Sequence, residues 1–247
     1  MELLKAAYKN EIMKILNRKK PVILMALSVV FVLGAMSGVY LLNSFSGIRV
    51  TGSSEFSIMV LSILIYSLFP LFTIFICVDM FAGEFADQTI KITLTSPASR
   101  LKVFLSKILA AATLILGNLY FVMIISAISS AIINRNFPNL LRIFASYTMA
   151  FMPIFVFALV IALISIISKG TTSAFMISIF IFLLLNGLSL VFPNIRSFLF
   201  TSNFDWYRLV LGSYINFSKI LRVLLILLGY SIMLTAGGCY LFERKDI

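Results

Sequence analysis

Histidine is absent from all 247 residues, and that absence closes several chemistries at once. Ser-His intramembrane proteases, HExxH metalloproteases and histidine-ligated zinc or haem all need an imidazole. Cysteine is scarce too. Cys77 and Cys239 both fall in apolar runs near the same membrane face, which fits buried thiols and supports neither a disulfide framework nor a Cys-rich metal site. An aspartyl intramembrane protease needs two aspartates at membrane depth, and only Asp79 comes close. No G-x-x-x-x-G-K-[ST] phosphate loop occurs, so the chain does not hydrolyse ATP by that route and any such energy comes from a partner.

What is abundant is apolar surface. Hydrophobic residues make up 61% of the chain, charged ones 12%, and the mean hydropathy is +1.09, well above the roughly half-apolar make-up of soluble domains. This composition predicts a membrane protein. Six runs are long enough to cross a hydrocarbon core of about 30 Å as helices: Val22 to Leu42, Ile58 to Ala82, Val103 to Ile133, Leu141 to Ile167, Thr172 to Phe192 and Ile220 to Phe242. They are continuous and lack the period-2 alternation of a transmembrane β-barrel, so the fold class is all-α. No polar stretch exceeds about 30 residues, which leaves no room for a separate soluble domain; residues 1–247 read as one transmembrane domain. Asn17-Arg18-Lys19-Lys20 before the first run resembles the charged lead of a signal peptide. That run is longer than a typical signal core and five more follow, so it reads as the first membrane helix.

Six crossings put both termini on one side. Thirteen of the twenty lysines and arginines fall on that face, in the N-terminal segment, the second-to-third loop, Lys169, Arg244 and Lys245, which places both termini in the cytoplasm of a plasma membrane. The net charge of +11 is spread over loop ends, so membrane topology explains it better than nucleic-acid binding. Tyr40, Tyr120, Tyr147, Trp206, Tyr207, Tyr214 and Tyr240 sit near predicted span ends, where amphipathic rings favour the interface. In residues 1–20, Leu4, Tyr8, Ile12 and Ile15 recur at helical spacing opposite Lys5 and Lys9, predicting an amphipathic elbow helix on the inner leaflet. Residues 193–219 are too polar to span and too aromatic for a free loop. They predict short external interfacial or re-entrant helices, two of them with a break near Ser202-Asn203.

Gly34 and Gly38, four apart in the first span, permit close backbone approach to another helix, either in this chain or across a dimer. Pro70, Pro153, Asn118 and Asn186 are positions where a span can break, kink or acquire a polar spot. The spans otherwise carry almost no charge, which argues against an ion-coupled secondary carrier. Asp79 is the exception, and a structural role there is at least as good a reading as ion coupling.

The loop 83–102, GEFADQTIKITLTSPASRLK, is patterned. Asp87 can cap a short helix whose Ile90, Ile92 and Leu94 lean on the membrane domain. Pro97 stops that helix, and Ser99 can cap the next one, bringing Arg100, Lys102 and Lys107 into its first turns. Glu84, Asp87, Thr89, Leu94, Pro97, Ser99, Arg100 and Lys107 resemble the pattern E-x-x-[DE]-G-T-x-x-x-[LI]-x-x-x-P-x-S-R with a following lysine, found in type 2 ABC exporter permeases. Gln88 stands where that family usually has glycine.

The resemblance implies a permease subunit, itself no enzyme and binding no cofactor, that pairs with two copies of a separate ATP-binding-cassette subunit, which carries ATP and magnesium. It implies a homodimer or heterodimer of permeases, a cytoplasmic coupling helix in loop 83–102 seated on the ATPase, and an export path at the permease interface. Half-size permeases of this length resemble exporters of amphipathic or antimicrobial peptides, including bacteriocin and lantibiotic immunity systems, and small drug exporters. A path lined by some of the 24 phenylalanines would suit such a cargo. The other classes open at this point are a secondary carrier or channel and a non-transporting membrane scaffold.

Overall fold

A computed structural model of the chain describes residues 2–46, 54–88, 99–192, 199–212 and 216–245. Among these no strand occurs. The helices are α1 (Glu2–Leu16), α2 (Lys19–Ser46), α3 (Glu55–Leu64), α4 (Leu68–Val78), α5 (Arg100–Asn134), α6 (Leu140–Ile167), α7 (Thr171–Val191) and α8 (Phe217–Arg244). A π-helical turn, Asp79–Gly83, and a last turn, Glu84–Ala86, extend α4; an eleven-residue 3₁₀ helix, Phe200–Val210, lies between α7 and α8. Six stretches are long and apolar enough to cross a membrane: Lys19–Phe45, Leu68–Ala86, Arg100–Asn134, Leu140–Ile167, Thr171–Ser189 and Phe217–Arg244.

Three of these spans form the core. Those carried by α4, α5 and α6 are at least half buried, while α2, α7 and α8 pack around them and keep wide apolar faces outward. Several hydroxyls inside the apolar helices are satisfied locally. Ser28, Thr73, Ser146 and Ser231 each donate to the carbonyl four residues back, which removes the cost of carrying a bare polar group in an apolar medium. Asn139 and Asn216 open α6 and α8, each side-chain oxygen accepting from the backbone N–H three residues on.

Two prolines shape the core differently. Ile58 to Ala82 reads in sequence as one run, but the chain leaves the helix at residues 65–67 between α3 and α4. Pro70 explains the break: it lacks an N–H, and its ring would collide with the Tyr66 carbonyl in a continuous helix. In α6 the helix runs straight through Pro153. The carbonyl that Pro153 leaves without its helical donor is that of Met149, and the indole Nε1 of Trp206 donates to it at 2.7 Å.

That contact also explains the segment before α8. Sequence predicts two pieces broken near Ser202-Asn203, whereas a single 3₁₀ helix passes through both residues. Thr201, Phe204 and Tyr207, three apart, are all buried, because a three-residue turn stacks that spacing on one face. Tyr207 shares a hydrogen bond of 2.7 Å with Ser62, and Tyr147 donates to the Ser57 carbonyl at 3.1 Å. Tyr147, Trp206 and Tyr207 are therefore interior groups rather than lipid-interface anchors, their polar tips satisfied by protein. Tyr40 and Tyr240 do face outward, and Tyr214 lies outside the described residues.

Candidate functional site: a buried charge cluster at the roots of the 83–102 loop

Lys107 lies in the second turn of α5, on the face it shares with Val103, Phe104 and Ala111. Its ammonium is fully buried, and it ion-pairs with Glu11 Oε2 at 2.9 Å and Glu84 Oε2 at 2.7 Å. The other Glu84 oxygen accepts from Lys14. Two buried carboxylates are thus neutralised by the buried Lys107 and the part-exposed Lys14, where either sign alone would be costly out of water. Glu84 is 1% exposed. Beside this set, Asp79 accepts from Lys20 at 2.7 Å and lies 3.5 Å from Arg18, which fastens the corner between α1 and α2. The structural reading of Asp79 accounts for its place in the span.

The π turn makes the arrangement possible. Bonding from residue i to i+5 widens the helix, so Asp79 and Glu84, five apart, come to one side and line the same narrow cavity with Lys14, Arg18 and Lys20. Glu11 belongs to the inward stripe of α1 with Tyr8 and Ile15. The cluster consequently joins three elements: the N-terminal helix, the end of α4 and the start of α5.

An aromatic layer lies next to it. Phe104 stands 5.7 Å from Phe81 and 5.8 Å from Phe242, centroid to centroid, and Phe242 stands 6.0 Å from Phe85. Gly238 admits the Phe104 ring to the backbone of α8; a Cβ there would stand 2.5 Å from a ring carbon. Arg100 donates to the Glu243 carbonyl at 2.8 Å and the Lys245 carbonyl at 3.3 Å, while Lys245 caps Ile166 and lies 3.8 Å over the Phe85 ring. Burial pulls the Lys245 ammonium below its ordinary value. The N-terminal end of α5 and the C-terminal ends of α4, α6 and α8 are knitted together on the face that carries both chain ends.

The loop residues singled out in sequence separate into groups. Glu84 and Lys107 come together inside the protein; Asp87 ends the last turn of the second span and is exposed; Arg100 is exposed and bonds α8. Ser99 occupies the position before α5, but only its carbonyl serves the helix, accepting from Val103, and its hydroxyl makes no cap bond. Thr89, Leu94 and Pro97, with the predicted coupling helix, lie outside the described residues. Gln88 has a φ of 54°, the left-handed conformation glycine adopts most easily, so the family's glycine matches the backbone found here. Nothing lies within 4 Å of a Cβ built at Gly34 or Gly38, so among the described residues no helix of this chain packs on them.

Sequence reasoning missed Glu11 and the inward direction of Lys107. The signals were an acid on the apolar stripe of α1 and a lysine one full turn inside an apolar run. Among the described residues no group of three or more cysteine, aspartate or glutamate side chains is placed to hold a metal.

The family model described as ABC-2 family transporter protein matches residues 6–247. The chain belongs to that family. It is the permease, the membrane component of an ABC transporter rather than its ATP-binding subunit, and ABC-2 permeases work with an ABC ATPase. No curated protein matches the chain. In this ABC-2 permease the charge cluster ties Glu84, at the start of the 83–102 loop, to Lys107, five residues beyond its end.

Proposed function

We propose that this ABC-2 permease is the membrane half of an ATP-driven exporter, and that loop 83–102 receives the stroke of a separate ATPase. Two permeases and two cassettes assemble in the plasma membrane with the permease termini in the cytoplasm. The observation that carries the reading is the buried pairing of Lys107 with Glu84 and Glu11. Any load on the loop reaches α1, α4 and α5 together, because all three share one neutral set of charges. Breaking one pair alone leaves a bare charge in an apolar surround, so the three elements shift as a unit.

Asp87 and Arg100 are the exposed groups best placed to meet the ATPase, with Thr89, Leu94, Pro97 and Ser99 between them. Glu84 and Lys107 act from within as positioning residues. The helix α1 lies along the inner leaflet, with Lys5 and Lys9 toward anionic headgroups. Gly34 and Gly38, bare in this chain, serve contact between permease copies. The outward apolar faces of α2, α7 and α8 suit a cargo that partitions into lipid, such as an amphipathic or antimicrobial peptide or a hydrophobic drug.

Affinity purification of the tagged chain from its native membrane tests the proposal. Recovery of a subunit with a Walker-type phosphate loop, lost in Asp87→Lys while the permease remains inserted, is the expected result. Purification with no such ATPase overturns it.

A further inference from the structure

On the membrane face opposite the chain ends, side chains of α5 and α6 line an open apolar groove. Two adjoining hollows of about 540 and 530 Å³ lie along it and share Ala127, Ile128 and Leu140 in their walls. Ala127 and Ala131, one turn apart, make a shallow floor, while larger side chains such as Ile128 and Phe144 stand as walls. The inner part is almost wholly apolar. Arg135 and Asn136 form the outer end, and among the described residues no carboxylate pairs with Arg135.

We infer that this groove is a binding site for one anionic phospholipid, with a single acyl chain between α5 and α6 and the headgroup phosphate on Arg135. The length fits. From Ile124 to Arg135 the helix rises about 16 Å at 1.5 Å per residue, which is half of a hydrocarbon core of about 30 Å. The groove therefore runs from the headgroup level to the bilayer midplane and accommodates the chain of one leaflet. The charge also fits. A guanidinium matches phosphate with paired donors, and among the described residues no acid ion-pairs with it.

Backbone geometry holds Arg135 at this rim. It terminates α5 in the left-handed conformation, with a φ of 52°, and turns the chain there toward α6. The site is independent of the exporter reading. It would bind lipid in the same way in any membrane protein with this α5–α6 pair, and it predicts that the permease prefers anionic lipid on this face.

Quenching by brominated lipid tests the site directly. The full-length Phe144→Trp chain is reconstituted in phosphatidylcholine vesicles with rising fractions of dibrominated phosphatidylglycerol or dibrominated phosphatidylcholine, and the parent chain, with Trp206 alone, gives the background. The groove signal should reach half-quenching at an about fivefold lower fraction of the anionic lipid, the factor expected of one basic residue worth about 1 kcal/mol at an anionic surface. Arg135→Gln should abolish that preference while leaving quenching by both lipids, and Ala131→Leu should reduce quenching by both. Equal half-points in the Phe144→Trp chain, a preference that survives Arg135→Gln, or no quenching by either lipid each overturns the site, the last by showing the face covered by protein.

Discussion

Lys107 Nζ lies 2.7 Å from Glu84 Oε2, and these residues, 23 apart in sequence, bracket residues 85–106 with neither side chain open to solvent. A pair that bridges the two roots of a loop fixes their separation. Removing one member while the other stays buried should therefore cost far more than a surface ion pair does. Lys107→Met is expected to lose about 3 to 5 kcal/mol of stability, the range for breaking a buried pair. Thermal unfolding in detergent measures it. Replacing Lys107, Glu84 and Glu11 together with apolar residues of similar size should recover most of that loss, since the penalty belongs to the bare charge rather than to the absent bond and the remaining Lys14 is part-exposed to water.

Trp206 and Pro153 form a second testable pair. Trp206→Phe leaves the Met149 carbonyl without a donor and should cost about 1 to 3 kcal/mol. In a Pro153→Ala background the helix supplies its own N–H at that position, so the same Trp206→Phe change should cost clearly less. A double-mutant cycle on unfolding free energies reads the difference, and simple additivity would remove the account of how α6 tolerates its proline.

Gly238 and Gly38 should behave differently although both are helical glycines. Gly238→Val drives a side chain into the Phe104 ring and should destabilise by about 1 to 3 kcal/mol, as overpacking does. Gly38→Val meets no atom of its own chain and should leave the stability of the isolated permease within about 0.5 kcal/mol. Phe104→Leu should rescue the first variant.

Gln88→Gly relieves a left-handed backbone and should stabilise the chain, although glycine gains freedom in the unfolded state and takes back part of the gain. A rise in unfolding temperature is the expected outcome. A fall would mean that the Gln88 side chain makes a contact worth more than the strain.

Much of this architecture was legible in the sequence for a simple reason: apolar length alone determines where helices can cross a bilayer. The spans run two to four residues beyond the apolar runs at several ends, as Lys19, Arg100 and Arg244 show, because charged residues at a span end remain helical while their heads stay out of the apolar zone. The break at residues 65–67 required reading Pro70 against the carbonyl four residues before it. The interior tyrosines were harder, since a ring near a span end looks the same in sequence whether it meets lipid or a serine on another helix. The charge cluster was hardest of all. Glu11, Glu84 and Lys107 lie in three separate stretches, and only tertiary packing tells an inward lysine from one that marks topology.

Asp87→Lys separates the loop's surface from its roots. Asp87 is exposed, so the substitution should leave unfolding unchanged while weakening ATPase association; Glu84→Gln should lower both. The two variants are compared by detergent unfolding and by recovery of the ATPase on the tagged permease.

The most direct measurement is ATP hydrolysis by the permease reconstituted with its ATPase in vesicles, with and without an amphipathic peptide. The account predicts peptide-stimulated hydrolysis that collapses in Asp87→Lys although that permease remains folded and inserted. Cargo flux through the purified permease alone, driven by an ion gradient with no ATPase present, would contradict it.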